Sequence, residues 1–258
     1  MAAIQGFTHT IDSASHFVAT ALPRGWKRDG SRPAVLIMPG TDESFSFPYL
    51  PTKGVALVDQ VVQAGYPCAL FQPTTTPTGI GDLWANDKLL QLHRRYAHLH
   101  ARRGSRREGG QSRTPRCLPG ALNALAYAGR YPANVAGVQA YLPNTSLAAT
   151  KANSGYTAAV NAAYGGNYTD ATYGAQHSPE IMMNAATNPY TMPINLVYTS
   201  DDPVIPLSYP TAFRDTVNGR TGTANVQLLN GGAVGHDWAV CSDQAGVRTA
   251  LQSLLAAM

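Results

Sequence analysis

A chain of 258 residues, 44% of them hydrophobic and 13% charged, has the length and composition of one globular domain with a sizeable core. No apolar run approaches the roughly 20 residues that cross a bilayer, and residues 1–20 lack a basic start followed by an apolar stretch. The expectation is a soluble chain with no membrane span and no signal peptide, cytoplasmic by default.

In chain order, Phe7–Ile11 and His16–Leu22 read as an opening hairpin around Asp12-Ser13-Ala14-Ser15. Ala34–Met38 is a short apolar run closed by Pro39-Gly40, the pattern of a strand buried on both faces. Val55–Ala64 predicts a helix ended by Gly65, and Cys68–Phe71 a further strand. After a Thr/Pro/Gly loop, Ala85, Leu89, Leu92, Tyr96 and Leu99 recur at spacings of four and three, one face of a helix. A helix over Ala121–Arg130, strands over Val135–Leu142, Ile194–Tyr198 and Asn225–Leu229, and a closing helix over Gly246–Ala257 follow. This alternation predicts an α/β fold with a mostly parallel sheet covered by helices on both faces, and function at the carboxyl ends of the strands.

Residues 145–190, rich in Ala, Asn and Tyr with Gly165 and Gly166 adjacent, interrupt the alternation. They read either as a small cap insertion over the strand ends or as a surface excursion; the single domain over 1–258 includes them. Cys68, Cys117 and Cys241 have no metal-like spacing and read as reduced core thiols.

The chemistry concentrates late in the chain. Ser200-Asp201-Asp202-Pro203-Val204-Ile205-Pro206 follows a strand, and Gly235-His236 lies 34 residues beyond Asp202. These supply an acid and a base in the order a hydrolytic triad needs, in which a carboxylate orients the imidazole and the imidazole deprotonates a hydroxyl. With Ala34–Gly40 followed by Thr41, and with Gly120–Pro132, they resemble the α/β-hydrolase family over nearly the whole chain. The resemblance implies Asp202 as acid, because it stands directly before the Pro-Val-Ile-Pro run, His236 as base, and an oxyanion loop at Gly40 and Thr41. His93, His98 and His100 read as surface residues.

The family's Gly-x-Ser-x-Gly elbow, which sits on a strained strand-to-helix turn, would need serine at 118 and glycine at 116. The chain has Leu118 and Arg116, with Pro119 where a backbone N–H should serve the oxyanion. The preceding Gly104–Pro115 has no apolar run, so residues 104–119 are expected either to be irregular, leaving the central strand missing, or to be forced into the central strand position with polar side chains facing the core. Eight arginines lie between positions 94 and 116 beside one acid, Glu108; outside that stretch eleven basic residues face fourteen acidic ones. With Tyr96 its only aromatic, the stretch does not predict nucleic-acid binding. A local frame displacement in the coding DNA would explain both the crowding and the lost motif, because codons for Arg116–Gly120 exist that read Gly-Val-Ser-Arg one base later. As written, Ser112 is the better of two remaining serines, with Gly110 two residues before it; Cys117 adjoins the expected position in the wrong register.

The expected function is a serine hydrolase acting on a small-molecule carboxylic ester, with the nucleophile missing or displaced. The alternative is a catalytically inactive α/β-hydrolase-like binding or assembly protein. No motif calls for a metal or organic cofactor, and the oligomeric state is open.

Overall fold

The computed structural model describes residues 3–11, 14–26, 33–38, 55–72, 84–91, 94, 116–118, 120–153, 155–221, 225–241 and 245–257. Its strands are β1 (Ala3–Ile11), β2 (Ala14–Leu22), β3 (Val35–Ile37), β4 (Cys68–Gln72), β5 (Arg116–Leu118), β6 (Val138–Tyr141), β7 (Ile194–Tyr198) and β8 (Val226–Asn230). They form one sheet in the order β1-β2-β4-β3-β5-β6-β7-β8. β1 and β2 pair antiparallel, as do β2 and β4; every pairing from β4 to β8 is parallel. The α/β class and the parallel sheet expected from the alternation are both present.

The pleat sends alternate residues to opposite faces. Leu36 and Met38 enter one buried cluster with Val138, Ala140 and Leu196, whereas Val35 and Ile37 enter a second with Tyr141 and Val197. Helix α2 (Ala121–Arg130) and helix α5 (Ser208–Thr221), through Phe213 and Val217, cover the first face. Helix α1 (Val55–Gln63) and helix α6 (Ala245–Ala256), through Leu57, Val61, Leu251 and Leu255, cover the second. Between them α2 contributes Ala121, Ala124, Ala126 and Ala128, all buried, so small side chains bring its backbone close to its neighbours. At Gly129 a Cβ would stand 2.5 Å from Met182 Cε and 2.7 Å from the Tyr190 hydroxyl, so this helix tolerates glycine for the sake of contact.

Several expectations need correction. Ala14 and Ser15 belong to β2 rather than to the hairpin turn; Asp12 and Ser13 lie outside the described residues. Ala85 does not lie on a helix face: it has φ +58° and precedes helical residues 87–91, whose start is capped by Asn86 Oδ1 accepting from Leu89 N–H at 3.0 Å. Leu92, Tyr96 and Leu99 lie outside the described residues. The strand expected over Val135–Leu142 is confined to Val138–Tyr141, because Pro132–Asn134 forms a 3-10 turn and Leu142 turns out of the sheet at φ +48°.

Of the two outcomes expected at the sheet's centre, a gap and a forced strand, the backbone shows the strand: Arg116–Leu118 lies there, with Leu36 and Val138 opposite Arg116 and Gln139 opposite Cys117. Three residues suffice because β3 and β6 are themselves only three and four residues long. Gly104–Pro115 lies outside the described residues.

Residues 145–190 carry helix α3 (Leu147–Ala152), helix α4 (Thr157–Ala163), a π turn at Asp170–Gly174, and helical turns at Ala175–His177 and Pro179–Met182. Leu147, Val160, Tyr164 and Tyr168 gather with Trp84 and with Leu122 of α2 into a third buried cluster.

Candidate functional site

β7 and β8 are parallel neighbours with Tyr198 opposite Asn230, so the loops that leave them emerge side by side at the carboxyl edge of the sheet. Backbone bonds continue the pairing past the strand ends: Gly231 N–H donates to Tyr198 O at 2.7 Å and Ser200 N–H to Gly232 O at 3.0 Å. Gly231 is needed there, because a Cβ would lie 2.2 Å from Val240 Cγ2 and 3.2 Å from Val197 Cγ1. Farther out, Thr199 Oγ1 donates to Gly235 O at 2.7 Å, and Gly235 N–H donates to Asp201 Oδ1 at 2.8 Å. Gly235 itself holds φ +66°, a left-handed value that glycine adopts without strain.

This framework presents His236 to Asp202. His236 Nδ1 lies 2.9 Å from Asp202 Oδ2 and 3.1 Å from Oδ1. Asp202 Oδ1 also accepts the backbone N–H groups of Val204 at 2.7 Å and Ile205 at 2.9 Å, so the carboxylate is fixed by its own turn before it meets the ring. The Asp202 side chain is 4% exposed and that of His236 36%. A carboxylate at Nδ1 accepts from an N–H there, which assigns the proton to Nδ1 and leaves the Nε2 lone pair free to take a proton. Among the described residues Nε2 has no hydrogen-bond partner.

Of the two aspartates, Asp202 faces the imidazole and Asp201 holds the loop that carries it. Spacing along the chain does not carry this division of labour, which depends on the long-range pairing of β7 with β8. Ser112, Gly40 and Thr41 lie outside the described residues. The elbow position is described on either side of Pro119: β5 ends at Leu118, and Gly120 N–H donates to Met38 O at 2.7 Å just before α2 begins. That bond ties the strand-to-helix junction to Met38, which leads into Pro39-Gly40-Thr41.

A second group of residues was not legible in sequence. Trp84 and Ala85 have φ of +32° and +58°, a conformation that side chains rarely adopt. They are held by bonds to residues 163–177: Tyr164 hydroxyl to Trp84 O at 2.7 Å, His177 Nδ1 to Ala85 O at 2.7 Å, and Asn86 Nδ2 to Ala163 O at 2.9 Å. Burial keeps the His177 imidazole's pKa below its ordinary value, against the raising effects of Ala85 O and Asp87. Burial likewise pushes the Tyr164 and Tyr168 hydroxyls well above theirs, so both stay neutral.

No protein-family profile matches the chain, and no curated protein matches its sequence. Solved structures do match, nearly end to end. An S-formylglutathione hydrolase from Agrobacterium tumefaciens superposes with a TM-score of 0.69 at 13% identity, over 99% of this chain and 95% of that one. A fluorophosphonate-binding serine hydrolase of Staphylococcus aureus gives 0.71 at 12% identity, over 98% of each chain. A Pyrococcus furiosus esterase gives 0.67 at 13%, over 99% of this chain and 92% of that one. The chain has the α/β-hydrolase fold. In this α/β-hydrolase fold, Asp202 and His236 meet on adjacent loops at the edge of the sheet where open α/β sheets bind their ligands.

Proposed function

We propose that this chain is built as a serine hydrolase of small-molecule carboxylic esters, with Asp202 and His236 as its acid and base and with the nucleophile missing or displaced as written. The observation that carries this reading is the 2.9 Å contact between His236 Nδ1 and a carboxylate that its own turn holds in place. Asp202 keeps the ring in one tautomer; Nε2 takes the proton of an attacking hydroxyl and returns it to the leaving alcohol. Fold neighbours that are esterases and serine hydrolases support acyl transfer to water as the reaction class. Residues 145–190 then act as a cap: their cluster with Leu122 on the first turn of α2 supports a position beside the elbow, where they would exclude water.

The elbow favours a second reading as well. The β5–α2 junction carries Leu118 and Pro119, which offer neither a nucleophile nor an N–H after it. With these residues in place the chain is a catalytically inactive α/β-hydrolase-like protein that retains a pocket for binding or assembly.

Release of nitrophenol from p-nitrophenyl butyrate separates the two. The chain as written is expected to match the uncatalysed rate, and the Arg116→Gly/Leu118→Ser/Pro119→Ala variant to exceed it, general-base assistance alone contributing about 10²- to 10⁴-fold. Turnover by the written chain that disappears with Ser112→Ala would instead assign the nucleophile to Ser112. A folded triple variant with no turnover would leave the binding or assembly reading.

A further inference from the structure

Among the described residues, the large hydrophobic side chains left exposed are Val204, 44% accessible, and Leu207, 45%. Single exposed apolar residues are ordinary on a protein surface. These two, however, share one short turn, Asp202-Pro203-Val204-Ile205-Pro206-Leu207, and that turn carries the proposed acid.

Local bonds fix the turn that displays them. Pro203 and Pro206 set their own φ, Asp202 Oδ1 accepts the N–H groups of Val204 at 2.7 Å and Ile205 at 2.9 Å, and Tyr209 N–H donates to Pro206 O at 3.0 Å where α5 begins. The same Asp202 Oδ1 lies 3.1 Å from His236 Nδ1, so the backbone of Val204 and the imidazole meet on one carboxylate oxygen. The His236 side chain is itself 36% exposed, which makes the apolar pair continuous along the chain with an accessible acid–base pair. Apolar surface held in place before a ligand arrives loses little freedom on binding. From Thr199 to Leu207 there is no lysine or arginine, and Asp201 already accepts from Gly235, so the turn offers no cation to a charged ligand.

We propose that Val204 and Leu207 are specificity-determining residues of the ester site: they form an apolar rest, beside Asp202 and His236, for a hydrocarbon chain of the ester. The substrate class narrows from carboxylic esters to esters that carry an aliphatic chain, in place of a charged or polyhydroxylated group. This rests on the ester-hydrolase reading above for the identity of the site.

The test is a titration of the full chain, 13C-labelled at its valine and leucine methyl groups and with its elbow as written, by nuclear magnetic resonance. The probes are methyl acetate, methyl hexanoate and hexyl acetate; the last two place a long chain on the acyl and on the alcohol side, and their ratio tells which half of the ester the pair receives. Val204→Thr, Leu207→Gln and His236→Gln assign the signals. A long-chain ester is expected to move the Val204 and Leu207 methyls together with the His236 ring protons, and to bind more tightly than methyl acetate by about fourfold for each methylene taken out of water. In the Val204→Thr/Leu207→Gln variant, whose changes fall on exposed side chains, the long-chain and short-chain esters should bind to within about twofold of each other. Equal affinity of the unaltered chain for methyl acetate and both long-chain esters overturns the proposal. So do methyl shifts without a response at His236, and a chain-length preference that survives the double variant. Self-association in sedimentation that the double variant abolishes would overturn it too, by assigning the pair to contact between two copies of the chain. The readout needs no turnover. An elbow-restored chain that binds these esters in this way and hydrolyses none would sink the reaction and leave the apolar rest standing, whereas hydrolysis without chain-length preference would sink the rest alone.

Discussion

Gly235 donates its backbone N–H to Asp201 Oδ1 at 2.8 Å, one residue before each member of the pair in which His236 Nδ1 lies 2.9 Å from Asp202 Oδ2. Two consecutive aspartates thus grip two consecutive residues of the facing loop, the first through the backbone and the second through the side chain. Asp201→Ala should leave Asp202 in its turn yet release the loop that carries His236. The expected cost is about 1 kcal/mol of stability in urea denaturation, with faster amide exchange at residues 232–236. Unchanged exchange there would show that the bonds from Thr199 and Ser200 hold the loop without Asp201.

The two glycines of that loop should respond to alanine for different reasons. Gly231→Ala forces a Cβ to within 2.2 Å of Val240, which is fully buried and has no room to yield, so a loss of about 1–3 kcal/mol is expected. Gly235→Ala meets nothing within 4 Å, and its cost is the left-handed backbone alone, about 1 kcal/mol. Adding Val240→Ala should therefore rescue part of the first loss and none of the second. Equal rescue of both would mean that neither diagnosis is right.

His177 makes the segment that braces Trp84 and Ala85 sensitive to acid. Burial lowers its pKa in the folded chain, so as pH falls the unfolded chain gains the proton first, and stability is lost from about the ordinary histidine value downward. Asp87, whose Oδ1 is 3.7 Å from Nε2, opposes that loss, and Arg130, bonded to Asp87 at 3.3 Å, adds to it. Amide exchange at residues 84–91, taken relative to its intrinsic rate at each pH, is expected to accelerate as pH falls below about 6.5. In His177→Gln, which keeps a donor without a titrating ring, that acceleration should vanish.

Cys68 offers the opposite case, a group held neutral. Burial against the second core pushes its thiol up to about 12. The unfolded chain ionises first as pH rises, so this group's contribution to stability is complete below about pH 9 and is lost progressively up to about pH 12. At pH 8.5 iodoacetamide should leave Cys68 unmodified in the native chain and alkylate it in urea, as read by peptide mass spectrometry. Native alkylation at the unfolded rate would contradict its burial.

Much of the architecture was legible because it is written in short-range pattern. Val35–Ile37 is uniformly apolar, and Ala121–Arg130 is a run of helix formers bounded by Gly120 and Pro132, so both elements stand where the sequence put them. α5 was not legible, since only Phe213 and Val217 reach the core on that face, and Pro210 discourages a helical reading although it lies in the first turn, where a missing N–H costs little. β5 was left open for a related reason: Arg116-Cys117-Leu118 has no strand pattern, and its place comes from the parallel strands on either side. Asp202 and His236 could be named from spacing, whereas the roles of Asp201 and Thr199 and the left-handed backbone of Trp84 and Ala85 depend on contacts between residues 34 or more apart in sequence.

The orienting role proposed for Asp202 makes the sharpest demand on the elbow-restored chain. Its Oδ1 accepts from Val204 and Ile205, so an asparagine there would keep its carbonyl oxygen on those two N–H groups and turn its amide nitrogen toward His236. Two donors cannot face each other, so the imidazole would move its proton from Nδ1 to Nε2 and could no longer accept one from a nucleophile. Asp202→Asn in that background is expected to lower kcat by about 10⁴-fold while changing stability by less than about 1 kcal/mol, because the turn is preserved. His236→Ala should lower kcat to a similar extent, and combining the two should add little, since residues acting as a unit are not additive. A loss of less than tenfold from Asp202→Asn, in a chain whose activity depends on His236, would show that another group orients the ring.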